Sequence, residues 1–369
     1  MSTPKFHPLI IQRVTPEAAG AVVITLSVPL ELHDVYAFTP GQFLTLREVL
    51  DGESVRRSYS ICSSVQRYAA DHEIDIGIKP VEGGLFSNWA TQKQAGETLD
   101  VMTPQGRFCP TLPSPLHASH RVAFAAGSGI TPVLSIMAST LYSEPRSRFT
   151  LVYANQRVNT ILFNEALQDL KDRYPARLTL IHVLSRQAQD VDLLCGRLDG
   201  PRVTALLDQL LPAAHITEAF VCGPEGMIDA VEQALATAGL PKARVHTERF
   251  FSGDVPNLSK HIANYSILTG TKGSFDSKYS LNVVLDGKIH TLPLQPQDKL
   301  LDVALAAGLD LPYACRGGVC CTCRAKVLQG QVTMEKNFTL EPWEIARGFV
   351  LTCQARPLSA EVIVSFDER

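Results

Sequence analysis

Cys315-Arg316-Gly317-Gly318-Val319-Cys320-Cys321-Thr322-Cys323 is the stretch that decides the fold of the C-terminal part of this chain, and Cys353 follows it after 29 residues. Without Cys321 the spacing is C-x4-C-x2-C and a distant C, which is the ligand pattern of plant-type [2Fe–2S] sites. Gly317 and Gly318 let the loop bend and turn its N–H groups toward the sulfur atoms. Zinc is the alternative, but zinc sites usually use two C-x2-C pairs, whereas Cys353 stands alone. The spacing therefore predicts a [2Fe–2S] cluster with the ligands Cys315, Cys320, Cys323 and Cys353.

Length and composition favour a multidomain, globular protein. The 369 residues predict two or three domains, and 45% hydrophobic with 19% charged residues is ordinary for a soluble chain. The net charge of −3 argues against nucleic acid as a partner. We expect no membrane partner, because no apolar run approaches the roughly 18 residues of a membrane span. The first eight residues lack the apolar core of a signal peptide, so we expect a cytoplasmic location, where the nine cysteines are metal ligands or free thiols.

Residues 1–115 have the pattern of a small antiparallel β-barrel. Short β-like runs are separated by turn signals such as Pro40-Gly41 and Asp51-Gly52. The predicted strands are Leu9–Val14, Val22–Val28, Gln42–Arg47, Arg57–Ile61 and Glu73–Ile78.

Two motifs in this barrel suit a ligand with a phosphate and a planar ring. In Arg57-Ser58-Tyr59-Ser60, Arg57 and Tyr59 share one face of a strand, where a cation can hold a phosphate and a phenol can cover a ring. Gly83-Gly84-Leu85-Phe86-Ser87 opens a predicted helix, Leu85–Lys93, whose start is suited to an anion. The alternatives are an exposed surface pair and a plain turn with Ser87 as a cap.

Residues 116–252 predict an α/β domain with a parallel sheet. Apolar runs of buried-strand type alternate with helical stretches, and such sheets bind ligands at the carboxyl ends of their strands. The predicted strands are Val122–Ala125, Phe149–Tyr153, Leu178–Leu184 and Ala219–Val221. The predicted helices are Thr131–Tyr142, Leu162–Tyr174, Val203–Leu211 and Pro224–Ala238.

The first of these strands ends in Gly127-Ser128-Gly129-Ile130-Thr131-Pro132, a candidate nucleotide-binding turn. Gly127 and Gly129 permit a pyrophosphate to approach the backbone, and Thr131 suits the start of a helix. The motif departs from G-x-G-x-x-G because Pro132 replaces the third glycine.

Arginines near two other strand ends favour NADP(H) over NAD(H). Arg157 follows the second strand and Ser185-Arg186 follows the third, and no acid for a ribose 2′-hydroxyl comes soon after Tyr153. The alternative is that both arginines are solvated loop residues. At the fourth strand end, Cys222-Gly223-Pro224 precedes a helix, and a buried structural thiol is the simplest interpretation of Cys222.

Residues 253–278 have the turn-rich composition of a linker, which can serve as a plain spacer or allow the last domain to swing. Residues 279–369 predict an α+β domain of the β-grasp type. Tyr279–Leu285 and Lys288–Leu292 flank an Asp-Gly turn, and the helix Leu300–Ala307 ends at Gly308. Val350–Cys353 and Val362–Ser365 are the closing strands.

The barrel and nucleotide motifs resemble the ferredoxin–NADP reductase superfamily. The resemblance implies that Arg57 and Ser87, in the Gly84-x-x-Ser87 motif, bind the FAD pyrophosphate. It also implies that Tyr59 stacks on the isoalloxazine and that Ser60 lies near flavin N5.

The same resemblance assigns roles in the nucleotide domain. Cys222, Gly223 and Pro224 would lie against the nicotinamide, with the thiol near the position of hydride transfer, and Ser185-Arg186 would contact a 2′-phosphate. Glu248 would assist electron transfer, and an aromatic residue, Phe250 or Phe251, would cover the flavin. The last domain resembles plant-type ferredoxins, in which Cys321 is an extra thiol rather than a ligand.

The order of the three modules resembles the reductase components of 1,2-phenylacetyl-CoA epoxidases. This resemblance rests on stretches such as Arg56-Arg57-Ser58-Tyr59-Ser60-Ile61-Cys62 and Leu311-Pro312-Tyr313-Ala314-Cys315. It implies electron flow from NADPH through FAD and the [2Fe–2S] cluster to a separate di-iron oxygenase, whose subunits are the expected partners. The reductase of another oxygenase, such as a steroid hydroxylase, and a redox carrier or sensor without an oxygenase are the alternatives.

Overall fold

The computed structural model describes residues 5–111, 118–250 and 279–368. The predicted linker 253–278 and Phe251 lie outside these described residues. The chain divides into two compact units. One comprises residues 5–6, 47–58 and 279–368, and the other comprises the described parts of residues 7–46 and 59–250.

The first third forms the predicted antiparallel barrel. Its strands are β1 (Phe6–Pro16), β2 (Val22–Ser27), β3 (Phe43–Leu50), β4 (Glu53–Ser60), β5 (Glu73–Ile78) and β6 (Thr98–Gln105), in the sheet order β4-β3-β6-β1-β2-β5. The helices are α1 (His33–Tyr36), α2 (Val65–Asp71) and α3 (Leu85–Ala90). An isolated bridge between Ile61 and Ile76 and a 2.9 Å bond from the Cys62 N–H to the Asp75 carbonyl link the end of β4 to β5. These bonds join the two edge strands, so the sheet curls into a barrel.

The middle of the chain forms the predicted parallel sheet with helices on both faces. Its elements are β7 (His120–Ala126), α4 (Ile130–Ser143), β8 (Arg148–Asn155), α5 (Asn164–Arg173), β9 (Leu178–Leu184), α6 (Gly200–Gln209), β10 (Glu218–Cys222), α7 (Glu225–Thr237) and β11 (Val245–Glu248). The strand order is β11-β10-β7-β8-β9, so the order reverses between β7 and β10. Residues of α4 and α5 pack on one face of the sheet, and residues of α6 and α7 pack on the other. The reversal point is where such sheets bind ligands.

The C-terminal domain is a mixed sheet packed against one helix, as predicted for a β-grasp. Its elements are β12 (Ser280–Leu285), β13 (Lys288–Pro293), α8 (Leu300–Ala306), β14 (Arg324–Gln329), β15 (Val332–Met334), α9 (Pro342–Ala346), β16 (Phe349–Leu351), β17 (Ala355–Pro357) and β18 (Glu361–Ser365). The main sheet has the order β13-β12-β18-β14-β16. Asp286 and Gly287 both have positive φ, 49° and 73°, as the tight turn between β12 and β13 requires. The cluster loop leads directly into β14.

Some predicted element bounds differ from the structure for local reasons. The helix predicted over Leu85–Lys93 ends at Ala90. The helix predicted from Val203 begins at Gly200, because the Asp199 side chain accepts the Arg202 N–H and caps it. The strand predicted to include Cys353 ends at Leu351, so this cysteine lies in the turn that follows β16.

Among the residues that the structure describes, no helix combines the length and the apolar character needed to cross a membrane.

Candidate functional site

The candidate nucleotide site lies where β7 and β10 end, and its geometry depends on a missing side chain. A Cβ atom on Gly129 would come within 2.1 Å of the Cys222 carbonyl oxygen, so only glycine lets these two turns approach so closely. Gly127 has a φ of +51°, and its carbonyl accepts a 2.9 Å bond from the Tyr153 hydroxyl. The Thr131 hydroxyl donates to the Ser128 carbonyl at 2.9 Å and fixes the start of α4. The glycine turn is thus held against Cys222, and its own backbone N–H groups remain open to a ligand.

A group of protonated acids surrounds the end of β10. Cys222 is fully buried and pairs in register with Glu248 of β11. Burial raises the pKa of Glu248 to about 8, and the Ser60 hydroxyl donates to its Oε2 at 3.2 Å. Burial and the neighbouring Glu248 also raise the pKa of Cys222, and they raise the pKa of Cys109 to about 12. At neutral pH this group carries no net charge, and neither thiol is a nucleophile.

The predicted residues of this group are therefore brought together. Ser60 and Glu248 are 188 positions apart in sequence, and the hydrogen bond joins the end of β4 to the end of β11. The sequence analysis selected both residues and Cys222. It missed Cys109, because a lone cysteine before a turn carries no spacing signal.

Aromatic packing positions Tyr59 at the end of β4. Its ring centroid lies 6.2 Å from that of Phe86, which is fully buried and lies 5.0 Å from that of Trp89. Tyr59 itself is half-buried and presents a flat phenol beside Ser60. This arrangement suits a planar ring system.

The two predicted phosphate ligands of the barrel differ in how they are held. The Arg57 guanidinium donates to the Arg56 carbonyl at 2.8 Å and is half-buried. The buried Ser87 hydroxyl accepts the Val81 N–H at 3.1 Å and keeps its own proton available to a ligand. A Cβ on Gly84 would lie 2.7 Å from that hydroxyl oxygen, so glycine is needed there. The helix that follows has only six residues, so its dipole adds little, and Ser87 is the stronger part of the motif.

The predicted arginines follow the carboxyl ends of the neighbouring strands β8 and β9. Asn155 pairs with Leu184, and the ladder continues as Ser185 N–H donates to the Asn155 carbonyl and Arg186 N–H to the Gln156 carbonyl, both at 2.9 Å. Arg157 and Arg186 follow directly after these bonds, and both are exposed. Cations after two neighbouring strand ends are suited to a phosphate.

Asn155 is a further candidate that the sequence analysis did not select. It is nine-tenths buried at the same edge, and its Nδ2 donor has no hydrogen-bond partner among the described residues. Such an orphan donor beside Ser185 fits a polar cofactor atom. Its sequence signal was a polar residue at the end of β8, two positions after the predicted strand Phe149–Tyr153.

The four predicted cluster ligands form two pairs of thiols. Cys320 donates to Cys315 and lowers its pKa to about 6, and Cys323 donates to Cys353 and lowers its pKa as well. The Gly317 N–H also donates to the Cys315 sulfur at 3.3 Å, and the Gln354 side chain donates to the Cys353 sulfur at 3.6 Å. These donors favour the thiolate form that binds metal.

Paired thiols fit a two-iron cluster. In a [2Fe–2S] cluster each iron takes two thiolates, so two pairs on neighbouring segments match its needs. Gly318, with a φ of +80°, lets the loop pass the Lys336 carbonyl, which would lie 3.0 Å from an added Cβ.

Cys321 and Phe250 are two further predicted residues. Cys321 has a φ of 54°, and its sulfur contacts the Thr339 hydroxyl at 2.7 Å. Phe250 is 43% exposed. Its alternative, Phe251, is outside the described residues, so the choice between them stays a prediction.

Three family models match consecutive parts of the chain. The Oxidoreductase FAD-binding domain matches residues 17–109, the Oxidoreductase NAD-binding domain residues 124–233, and the 2Fe-2S iron-sulfur cluster binding domain residues 283–358. Together they give the chain a flavin, a nicotinamide and an iron–sulfur module.

Two relatives match nearly the whole chain. One is a subunit of the 1,2-phenylacetyl-CoA epoxidase of Escherichia coli (strain K12), which is 44% identical over 99% of this chain and 98% of its own length. The chain belongs to the ferredoxin reductase components of oxygenases. A 3-ketosteroid-9-alpha-monooxygenase, ferredoxin reductase component, of Rhodococcus rhodochrous is 37% identical over 97% of this chain and 96% of its own. The predicted resemblance to epoxidase reductases is confirmed at the level of this family.

A solved structure has the same modular fold. Phthalate dioxygenase reductase aligns over 98% of both chains with a TM-score of 0.56 and 20% identity. It is described as a modular structure for electron transfer from pyridine nucleotides to [2Fe-2S]. At this identity the likeness supports the fold of the reductase component and nothing finer.

The cofactors of this reductase component differ in how many electrons they transfer at once. A nicotinamide supplies two electrons as a hydride, and a [2Fe–2S] cluster carries single electrons. A flavin can accept two electrons and release them one at a time, so it connects the other two. The chain's own residues provide the environment. The backbone at Gly129 is open to a nucleotide, Glu248 and Cys222 hold their protons at the neighbouring strand ends, and the two thiol pairs would hold the irons.

We predict that Cys353→Ser abolishes the cluster and Cys321→Ser does not. Serine oxygen is a poor ligand for an iron that lacks its second thiolate, whereas Cys321 contacts Thr339. Iron and sulfide analysis of the purified proteins measures the difference. Cys321→Ser with less than half of the wild-type iron would contradict this assignment.

We predict that flavin reduction by the nicotinamide slows as the pH rises through about 8, the pKa of Glu248. Below that pH the carboxyl is neutral, and above it a negative charge lies beside the path of the hydride. Because this pKa is raised above the ordinary 4.5, the acid also removes stability as the pH rises from 4.5 toward 8. Stopped-flow rates of flavin reduction, measured from about pH 6 to about pH 9 so that the range spans the pKa of Glu248, test the expected fall in rate.

Glu248→Gln is neutral at every pH, so its rate should stay flat where the wild-type rate falls. Glu165→Gln, which removes an exposed acid from the first turn of α5, is the control and should keep the wild-type profile. A Glu248→Gln profile that still bends near pH 8 would assign the titration to another group.

Proposed function

We propose that this chain is the NADPH-dependent reductase component of a phenylacetyl-CoA epoxidase. In this proposal electrons pass from NADPH to FAD, to the [2Fe–2S] cluster, and on to a separate di-iron monooxygenase that epoxidises phenylacetyl-CoA. The similarity to the subunit of the Escherichia coli epoxidase, at 44% identity over 99% of the chain, carries the proposal. We expect the protein to act in the cytoplasm.

The proposed domains are those of the sequence analysis: a flavin barrel at 1–115, a nucleotide domain at 116–252, a linker at 253–278 and a ferredoxin domain at 279–369. In the flavin barrel, Arg57, Gly84 and Ser87 hold the pyrophosphate, and Tyr59 and Ser60 face the ring. The hydrogen bond of Ser60 to Glu248 supports the last assignment.

In the nucleotide domain, the proposed cofactor contacts come from three strand ends. Their residues are Gly127, Gly129 and Thr131 after β7, Arg157, Ser185 and Arg186 after β8 and β9, and Cys222, Gly223, Pro224 and Phe250 near β10 and β11. The catalytic group in this proposal is Ser60, Cys222 and Glu248, which the structure brings into one cluster of contacts.

The preference for NADPH rests on the two exposed arginines. Arg157 and Arg186 follow the carboxyl ends of the neighbouring strands β8 and β9, and in this proposal a 2′-phosphate meets both guanidinium groups. No carboxylate ends β8, since Asn155 stands there. Asn155 would then serve as a neutral donor to the cofactor.

A steroid monooxygenase partner is the second candidate, because the ketosteroid monooxygenase reductase component is 37% identical over 97% of the chain. Both candidates need the same three cofactors and differ only in the oxygenase. The docking surface around the cluster therefore decides between them.

We predict that the protein, NADPH and purified phenylacetyl-CoA epoxidase subunits together consume phenylacetyl-CoA. Omission of NADPH or of the reductase should stop turnover, and liquid chromatography with mass detection measures the product. The same reductase mixed with a ketosteroid monooxygenase oxygenase component is the comparison. Faster steroid turnover would replace the epoxidase assignment.

We predict that Arg186→Gln raises the KM for NADPH about 10- to 100-fold and leaves that for NADH nearly unchanged, since a charged hydrogen bond to phosphate contributes about 1.5–3 kcal/mol. Steady-state kinetics with both nucleotides measures the ratio. Arg173→Gln, at an exposed position in the last turn of α5, is the control and should change neither KM. Equal losses with NADPH and NADH would refute a 2′-phosphate contact.

A further inference from the structure

Gln354 is a buried glutamine that directly follows Cys353, the fourth predicted cluster ligand. It is 3% exposed, and its side-chain Nε2 donates to the Arg316 carbonyl at 2.8 Å and to the Cys353 carbonyl at 3.0 Å. The same Nε2 also donates to the Cys353 sulfur at 3.6 Å, a longer bond because sulfur is the larger atom. Since Arg316 directly follows Cys315, one amide group contacts both segments that carry predicted ligands.

The orientation of this amide is determined by its partners. A carbonyl oxygen can only accept a hydrogen bond, so the Nε2 end of the Gln354 side chain must face the carbonyls of Arg316 and Cys353. A flipped amide would place its oxygen against two carbonyl oxygens. The donor end of the amide is therefore the end that lies near the Cys353 sulfur.

The neighbours of Gln354 also hold its backbone in place. Its N–H donates to the Leu351 carbonyl at 2.8 Å, and its carbonyl accepts the Glu335 N–H at 3.1 Å. Its Cγ lies 3.3 Å from the position that a Cβ on Gly318 would take, so the glutamine packs on the cluster loop where that loop has no side chain. The amide thus reaches the loop from a position with little freedom to move.

The carbonyl that Gln354 binds belongs to a residue with a strained backbone. Arg316 has a φ of 53°, in the left-handed region that residues with a side chain rarely adopt. Such a conformation persists only where the surrounding structure fixes it. The Arg316 guanidinium pairs with the Asp302 carboxylate of α8, and the bond from Gln354 holds the Arg316 carbonyl.

The same peptide group links Gln354 to a second ligand. The Arg316 carbonyl and the Gly317 N–H belong to one planar peptide, and this N–H donates to the Cys315 sulfur at 3.3 Å. Because the peptide is planar, a bond that orients its carbonyl also orients its N–H. Gln354 therefore donates to the sulfur of Cys353 directly and orients the donor to the sulfur of Cys315.

Hydrogen-bond donors to the ligand sulfurs act on the reduction potential of an iron–sulfur cluster. In the step concerned, one electron from the reduced flavin enters the cluster, no bond forms or breaks, and the negative charge on the sulfur atoms increases. An N–H donor interacts more strongly with the more negative state. Each such donor therefore favours reduction and raises the potential.

We propose that Gln354 is the positioning residue that orients N–H donors at the sulfurs of Cys315 and Cys353 and thereby raises the reduction potential of the cluster. The proposal rests on the proposed function and on these two cysteines as cluster ligands. Gly317 donates through its backbone, which a substitution keeps, whereas Gln354 donates through its side chain. Gln354 is therefore the residue to change in a test.

The test compares Gln354→Met with the wild type in a redox titration of the holoprotein with dithionite and mediators. Methionine is about as long as glutamine and flexible, but it has no N–H donor. The cluster potential, followed by electron paramagnetic resonance, should fall by about 59 mV, which is about tenfold in the equilibrium constant of a one-electron couple. A hydrogen bond to a charged acceptor accounts for about this factor. The flavin potential, read from absorption in the same titration, should not change.

Two further variants separate the amide from side-chain packing. Gln354→Asn keeps the amide on a side chain that is shorter by a methylene group, so its potential should lie between those of the wild type and Gln354→Met. Gln329→Leu is the matched control, because it removes an exposed amide of β14 that donates to the Glu361 carboxylate at 3.0 Å. It should keep the wild-type potential. An equal fall in Gln329→Leu and Gln354→Met would overturn the role of Gln354.

A second readout uses the wild type itself. The reduced cluster is paramagnetic, so protein labelled isotopically at the side-chain nitrogen of glutamine should show a magnetically coupled nitrogen in pulsed electron paramagnetic resonance. Gln354→Met should lose this coupling, and Gln329→Leu should keep it. Should Gln354→Met fail to fold or to hold a cluster, the labelled wild type decides, and a spectrum without the coupled nitrogen would overturn the proposal.

The outcomes separate this proposal from the proposed function. Wild-type protein whose flavin is not reduced by NADPH would defeat the proposed function, whereas the titration with dithionite needs no nucleotide. Equal cluster potentials in the wild type and Gln354→Met, or a higher potential in the variant, would overturn the role of Gln354 and leave the proposed function intact.

Discussion

The close contact between the Gly129 backbone and the Cys222 carbonyl determines where the groups around the end of β10 can lie. It brings the ends of β7 and β10 together at the point where the strand order reverses. Register then places Glu248 beside Cys222, and a hydrogen bond places Ser60 beside Glu248. Each step depends on the one before it, so a Cβ at position 129 would displace the whole group.

The resulting site is electrically neutral although it contains acids. Burial raises the pKa of Glu248 and of the thiols of Cys222 and Cys109, so all three hold their protons at neutral pH. The arginines proposed to bind the nucleotide phosphate, Arg157 and Arg186, lie at other strand ends and are exposed. The charged groups proposed for binding are thus separate from the place where a hydride would move. A fixed charge at that place would favour one redox state of the flavin or nicotinamide over the other.

Sequence was sufficient where the signal is local. Strand β9 follows from its run of apolar residues, because neighbouring residues alone impose it. It was insufficient where distant segments meet. The contacts of Ser60 with Glu248 and of Arg56 with Asp310 join residues 188 and 254 positions apart, and no local pattern encodes such pairs. Family resemblance singled out Ser60 and Glu248 separately, but not the contact between them. The orphan amide of Asn155 needed coordinates, because only burial shows that it lacks a partner.

The turn that carries Cys353 has a consequence for assembly of the ferredoxin domain. Thr352 bonds to the Cys323 carbonyl through its N–H at 3.2 Å and its hydroxyl at 2.8 Å, so the two ligand segments touch through the protein as well as through their thiols. A cluster bridging Cys323 and Cys353 closes a loop of about 30 residues, and in the chain-entropy account such a cross-link contributes about 3–4 kcal/mol. A cluster bound in this way would cross-link the domain, so the yield of folded protein would depend on the supply of iron.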